Sequence, residues 1–280
     1  ECLVEIFNFH DLAIDDCLND LSQPKVDDYE EYLFLVLHAV NLGDGSGQEE
    51  LLTVEINIFL GPNYVVTFHK GPIQSVSQIR EMAQKKPDSF MGQGSDKLVY
   101  YIIDYLVEKY QPVLDLYDAQ VDHLEEAIFN NTKTEQLSDI VKLKKDLFHF
   151  RRTVAPQRDT INFLTRTDTG FIRPGNMPYF RDVYDHLFKI YGMIEGLHEA
   201  VTGITQAYFS YSSHKLNESI KRMTVMATLT MPSVIIASIY GMNFEHMPEL
   251  KWKYGYLMIW GILFSVGIGM LIYFKRKKWI

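Results

Sequence analysis

A chain of 280 residues with 36 acids against 27 bases carries a net charge of -9, which excludes nucleic acid as a partner for the bulk surface and favours cations near it. The length accommodates a soluble domain of about 200 residues and a further segment beyond it. Cys2 and Cys17 are the only cysteines; they fit no metal-ligand spacing and suit a reducing compartment. No signal-peptide pattern opens the chain, which begins at Glu1, and the expectation is that a further N-terminal piece precedes it.

Residues 1–95 read as mixed α/β. Residues 8–20 and 74–85 have helical patterning. Glu31–Val40 (EYLFLVLHAV), residues 52–60 (LTVEINIFL) and Tyr64–His69 (YVVTFH) are rich in β-branched and aromatic residues, as strands are. GDGSGQ at 43–48 and GPN at 61–63 supply the turns between them.

Beyond residue 96 the strand patterning stops. Ile103, Leu106, Tyr110, Val113, Tyr117, Val121, Leu124 and Ile128 recur every three or four positions. That spacing predicts one long helix over 97–130, bent near Pro112. Thr134 is placed to cap a second helix running to about Thr165, with a kink at Pro156. Two glycines and two prolines in TDTGFIRPGNMP, residues 167–178, then break the chain. Residues 179–240 lack any further Gly/Pro cluster and predict a single helix roughly 90 Å long at 1.5 Å per residue, with a break near Gly203 as the alternative.

The mean hydropathy of -0.09 conceals a sharp asymmetry. Met223–Tyr240 and Gly255–Phe274 contain no charged residue, and about 20 apolar helical residues cross a hydrocarbon core. Lys215, Lys221 and Arg222 precede the first run, and Lys275, Arg276, Lys277 and Lys278 follow the second. The positive-inside rule then puts both flanks, and both termini, in the cytoplasm, with an external loop of about 14 residues. Two spans enclose no passage, so transport requires an oligomer. In the first span Asn217, Ile220, Thr224, Ala227, Met231, Val234 and Ser238 alternate by three and four, the spacing of one coiled-coil face. Such a weakly polar, uncharged face either lines a passage between copies or packs helix on helix. Gly241 and Asn243 at its end also read as an ordinary terminator, the glycine left-handed and the asparagine in a turn.

The stretch YGMNFEHMPEL at 240–250, lying between the spans and ahead of a basic tail, resembles the signature of the CorA family of magnesium channels. HDLAIDDCLN at 10–19, PKVDDYEEYLFLVL at 24–37, PYFRDVYDH at 178–186 and MPSVIIASIYGMN at 231–243 extend the resemblance over nearly the whole chain. It implies an α+β cytoplasmic domain (an α/β/α sandwich), a long helical stalk and two C-terminal transmembrane helices, assembled as a pentameric funnel in the cell (inner) membrane. On that reading residues 1–95 form the cytoplasmic α/β domain, and 96–222 the long cytoplasmic helices with the start of the stalk. Residues 223–243 are the first span with its motif, 244–254 the external loop, 255–274 the second span and 275–280 a basic cytoplasmic tail.

The resemblance further implies a selectivity filter at Gly241, Met242 and Asn243 and a pore lined by Asn217, Ile220, Met223, Met231, Val234 and Ser238. Glu245 and Glu249 would concentrate cations at the outer mouth. A filter of neutral amide oxygens suits Mg2+, which dehydrates reluctantly and can be held through its water shell. Val234 and Ser238 stand where better-known members have threonine and glycine. A divalent ion crossing about 100 mV gains roughly 4.6 kcal/mol, about a thousandfold accumulation at equilibrium, so the pore needs a gate. The family's intersubunit Mg2+ sites match Asp15, Asp16, Asp104 and Asp182, while a stalk position that is normally aspartate falls at Gln206. Mg2+ is thus expected as both transported and regulatory ion, with Co2+ or Ni2+ as further cargo, and with neither nucleic acid nor an organic cofactor. Rival expectations are a zinc transporter of the same fold, disfavoured because the lining face offers no His or Cys, and a non-conducting, membrane-anchored metal sensor. HDLAIDD at 10–16 lacks the companions of a hydrolase, so no enzyme is expected.

Overall fold

The computed structural model describes residues 2–19, 23–42, 51–130, 134–167, 169–243, 245 and 247–279. The chain divides into two compact units, Glu1–Gln206 and Ala207–Ile280.

In the first unit, helices α1 (Cys2–Glu5) and α2 (Asp11–Leu18) precede four strands, β1 (Lys25–Asp28), β2 (Leu33–Leu42), β3 (Leu51–Leu60) and β4 (Val65–Phe68). The strands pair antiparallel in sequence order. The register aligns Leu33 with Leu60, Leu35 with Ile58 and Leu37 with Ile56. Alternation then sends these six side chains to one face, where all are buried. The opposite face carries Phe34, Val36 and Phe59, which form one cluster with Phe9 and with Ala13 and Cys17 of α2. Phe9 stacks on Phe59 with centroids 4.0 Å apart. Helices therefore cover the sheet from both sides, the α/β/α arrangement that the resemblance implied.

Then follow α3 (Gln74–Lys85), α4 (Pro87–Phe90), α5 (Ser95–Glu108), α6 (Tyr110–Asn130) and α7 (Thr134–Arg166). The single helix expected over 97–130 is instead two, separated at Lys109. Pro112 bends nothing because it is third in α6, within the first turn, where an amide has no intrahelical partner to lose. Restarting the helix at Tyr110 serves the sheet. Strand β1 pairs β2 only as far as Val36, so the backbone groups of His38 would face an open edge. Tyr110 donates its hydroxyl to the His38 carbonyl at 2.5 Å, and Gln157 Oε1 accepts from the His38 amide at 3.0 Å. Gln157 Nε2 in turn donates to the Tyr110 hydroxyl at 2.8 Å. An edge that would otherwise need another strand is closed by two side chains.

Helix α8 spans Met177–Tyr240 as one 64-residue helix, so Gly203 does not break it. Its start is tied to α5 by Asp96, only 2% exposed. The Asp96 carboxylate accepts from the Arg173 amide at 3.0 Å, from Arg173 Nε at 3.1 Å and from Asn176 Nδ2 at 2.8 Å. Arg173 also reaches the Gln93 carbonyl. Gly94 adopts φ +101°, and the Arg173 guanidinium occupies the space a Cβ would need there, so backbone conformation and packing both require glycine.

The second unit holds the C-terminal part of α8, a 3-10 turn at Pro248–Lys251 and helix α9 (Gly255–Arg276). Met223, Met226, Met231, Tyr256 and Leu257 are each more than 60% exposed. Both helices are long and apolar enough to cross a membrane, and a hydrocarbon surround removes the cost such exposure would carry in water.

Candidate ion pathway and regulatory carboxylates

The Tyr-Gly-Met-Asn stretch closes α8 without the left-handed glycine considered above. The Gly241 amide continues the helix to the Ala237 carbonyl at 2.9 Å, and Met242 tightens the last turn onto Ile239 at 3.3 Å. Positive φ among the described glycines is confined to Gly94 and Gly170. A Cβ at position 241 would lie 3.1 Å from the Ala237 oxygen, so glycine permits a close wrap of the chain instead of a reversed one. Met242 and Asn243 follow, both exposed and uncharged.

Asn217, Ile220, Met223, Met231, Val234 and Ser238 are likewise all exposed. Between them Thr224 donates to the Ile220 carbonyl at 2.8 Å and Thr228 to the Thr224 carbonyl at 2.7 Å. These hydroxyl protons are satisfied within the helix, which makes the face less polar than its composition suggests. Glu245 is exposed; the Glu249 side chain and all of Phe244 and His246 fall outside the described residues.

The expected regulatory acids lie in the first unit and separate into groups. Asp15 and Asp16 are adjacent on α2. Asn19 Nδ2 donates to Asp15 at 2.9 Å, and Lys25 Nζ sits 2.6 Å from Asp16 and 2.7 Å from Asp27. Asp104 on α5 accepts from the Tyr100 hydroxyl at 3.3 Å. Burial and the neighbouring charges of Glu108 and Asp182 push the Asp104 carboxyl above its ordinary range, against a smaller lowering by Tyr100 and His186. Asp182 and Gln206 are exposed on α8. The fold therefore brings Asp104 and Asp182 into one acidic patch and leaves the others apart. Among the described residues, no group of three or more His, Cys, Asp or Glu side chains could hold a metal ion within one chain. Sequence reasoning missed Glu108, His186 and Lys25 as neighbours of these acids. Glu108 was legible, being four residues after Asp104 and hence on the same helical face, as was His186 four residues after Asp182; Lys25 required the tertiary fold.

A sheet-and-helix domain followed by a long helix, with two exposed apolar helical stretches long enough to cross a membrane, has the features of a membrane protein. Known proteins fix the class further. A family model described as CorA-like Mg2+ transporter protein matches residues 1–278. The cobalt/magnesium transport protein CorA of Thermotoga maritima is 35% identical over 276 residues, covering 99% of this chain and 78% of that one. The curated cobalt/magnesium transport protein CorA of Methanocaldococcus jannaschii is 22% identical over 264 residues, 94% of this chain and 82% of that one. The complete structure of the CorA magnesium transporter from the same organism superposes with a TM-score of 0.88 at 21% identity, covering 99% of this chain and 86% of that chain. The chain belongs to the CorA family of Mg2+ transporters, which are ion transporters and not enzymes.

Proposed function

We propose that this member of the family admits Mg2+ down its electrochemical gradient through a pore on the axis of a homopentamer, with both termini cytoplasmic in a cell (inner) membrane. The observation that carries the reading is the unbroken course of α8 from Met177 to Tyr240, with its exposed, weakly polar face leading to Asn243. Parallel copies would line a passage with Asn217, Ile220, Met223, Met231, Val234 and Ser238 and close it with a ring of Asn243 amides beside Gly241 and Met242. Amide oxygens accept hydrogen bonds from the ion's bound water, so the ion need not be stripped. The same outer-sphere recognition extends to Co2+ and Ni2+. Glu245 and Glu249 raise the cation concentration at the mouth.

Closure is assigned to internal Mg2+ bound between copies at Asp15, Asp16, Asp104, Asp182 and Gln206. The Asp104 patch fits such a cation: its carboxyl is crowded by Glu108 and Asp182, and a divalent ion would relieve that repulsion. Asp16 is held by Lys25 in the single chain, so an ion bound there would have to displace or share that ammonium. The test is Mg2+ uptake by proteoliposomes, with Asn243→Ala as the control. Undiminished uptake in the variant removes the filter assignment. Uptake of Zn2+ in preference to Mg2+ favours the zinc reading, and absence of flux favours the sensor.

A further inference from the structure

Past the apolar run of α9 the chain forms a tight reversal. Lys278 takes φ +56°, the left-handed region that costs a β-carbon residue and is normally given to glycine at the end of a helix. The Trp279 amide donates to the Phe274 carbonyl at 3.0 Å, and the Lys278 amide to the Lys275 carbonyl at 3.2 Å. These two bonds and the left-handed residue make a Schellman closure. Its usual apolar contact is present: Trp279 stacks on Phe274 with centroids 5.7 Å apart and planes at 26°. Phe274 is one of the few buried side chains in this unit, at 6% exposure. The chain is thus folded back, not trailing, and the fold-back gathers Lys275, Arg276, Lys277 and Lys278 at the end of the span beside an indole.

Two features mark this as more than a helix stop. Glycine would close the turn more cheaply, yet the position is occupied by a fourth cation. No acidic residue follows Glu249 in the sequence, and among the described residues none of the four cations is paired with an acid, whereas Arg222 before the first span has Glu218 at 3.5 Å. Four cations with no acid partner among the described residues, and a tryptophan, at the level where an apolar helix ends match the phosphate and glycerol layer of a bilayer. We infer that the folded-back tail, Phe274 to Trp279, is a binding site for the headgroup of an anionic phospholipid. Its cations hold the phosphate, and Trp279 anchors at the interface.

The inference rests on α9 being a membrane span, and the test separates the two. Trp252, Trp260 and Trp279 are the three tryptophans of the chain. In the full-length Trp252→Phe/Trp260→Phe protein, Trp279 fluorescence is measured in bilayers containing brominated phosphatidylglycerol or brominated phosphatidylcholine at equal mole fraction. Stronger quenching by phosphatidylglycerol, weakened by salt, is expected. Lys278→Gly, which relieves the backbone strain, should still fold but lower the relative association constant by up to about fivefold; Lys278→Arg should keep it. Equal quenching by the two lipids, or a full preference retained in Lys278→Gly, overturns the headgroup site while leaving the span intact. Absence of quenching by either lipid overturns both. Inorganic phosphate should leave the preference in place; its abolition by phosphate would assign the cations to the free anion and overturn the lipid. Should the double variant not fold, native mass spectrometry of the unaltered protein and of Lys278→Gly counts retained phosphatidylglycerol, with equal counts overturning the proposal.

Discussion

The two units of this chain obey opposite rules of burial. In the first, most large apolar side chains of the central strands β2 and β3 are buried, and buried polar groups such as Asp96, Gln157 and the Tyr110 hydroxyl are engaged in hydrogen bonds. In the second, methionines, leucines and aromatics stand exposed along both helices, and hydroxyls turn back onto their own backbone, as those of Thr202 and Thr205 do in the first. The difference lies in the solvent each unit is built for. Water drives apolar groups inward and penalises an unpaired buried polar group. Lipid does neither for an apolar surface, but demands that every backbone and hydroxyl proton be satisfied locally.

The sharpest way to break the first unit alone is to remove Asp96. Asp96→Ala leaves Arg173 and Asn176 without their shared acceptor; the Arg173 side chain is more than half exposed and can be solvated, so the loss is that of hydrogen bonds to a charged group, about 1.5–3 kcal/mol. Thermal unfolding of the full protein in detergent should show that loss, whereas a change below about 1 kcal/mol would mean the carboxylate is replaceable by water. The pair also sets an acid limit. Burial favours the neutral acid, but hydrogen bonds from Arg173 and Asn176 outweigh it and hold the carboxyl below its ordinary 3.8. A depressed folded value means the unfolded chain binds the proton first. This contribution is therefore fully present above 3.8 and is lost as pH falls from there through the folded value. Asp96→Asn should lack that part of the acid transition.

Asn243→Ala addresses the second unit and should leave unfolding of the first untouched. In the proposed homopentamer every copy loses its amide at once, so Mg2+ uptake into proteoliposomes should fall about a hundredfold, or about 2.8 kcal/mol at 1.4 kcal/mol per factor of ten. Wild-type flux from this variant would show that helix closure is the motif's whole role. Tyr110→Phe returns to the soluble unit with a smaller effect. It removes the hydroxyl from the His38 carbonyl and from Gln157, and a buried group left unpaired costs about 1–3 kcal/mol. A stability unchanged in denaturant titration would mean the β2 edge is closed by other means.

How far the sequence revealed these two units follows from the range of the forces involved. Enrichment in β-branched and aromatic residues located β2 and β3, and the helix expected at 74–85 coincides with Gln74–Lys85. The apolar runs and the neutral motif stood out because a span must be apolar over its whole length. Strand β1 was missed: KVDD is four residues long with two acids, and only pairing with β2 makes it a strand. The break at Lys109 was displaced onto Pro112, because proline signals locally while the demand of His38 for a partner comes from a strand 72 residues away. The Asp96 clamp was illegible for the same reason, its partners lying 77 and 80 positions further on. Lys278 carried no signal at all, since a basic residue after a span is expected whatever its backbone does.

Gln206→Asp is the mildest change and the one that links the two units through function alone. Gln206 is exposed on α8, so the substitution should alter stability by less than about 0.5 kcal/mol. An amide oxygen can coordinate Mg2+ but adds no charge to the site, whereas a carboxylate is the ligand hard cations prefer. If intersubunit Mg2+ near Asp16 closes the pathway, the added charge should lower the Mg2+ concentration that halves the current by about fivefold, the equivalent of about 1 kcal/mol. Peak flux at low Mg2+ should stay at the wild-type level, because the proposed filter at Asn243 is unchanged. The position decides between two accounts of the soluble unit. A shift in the inhibiting concentration makes its acidic surface a sensor whose set point is tuned by one side chain. An unchanged midpoint with normal flux leaves Gln206 a solvated surface residue and places control of the pore elsewhere.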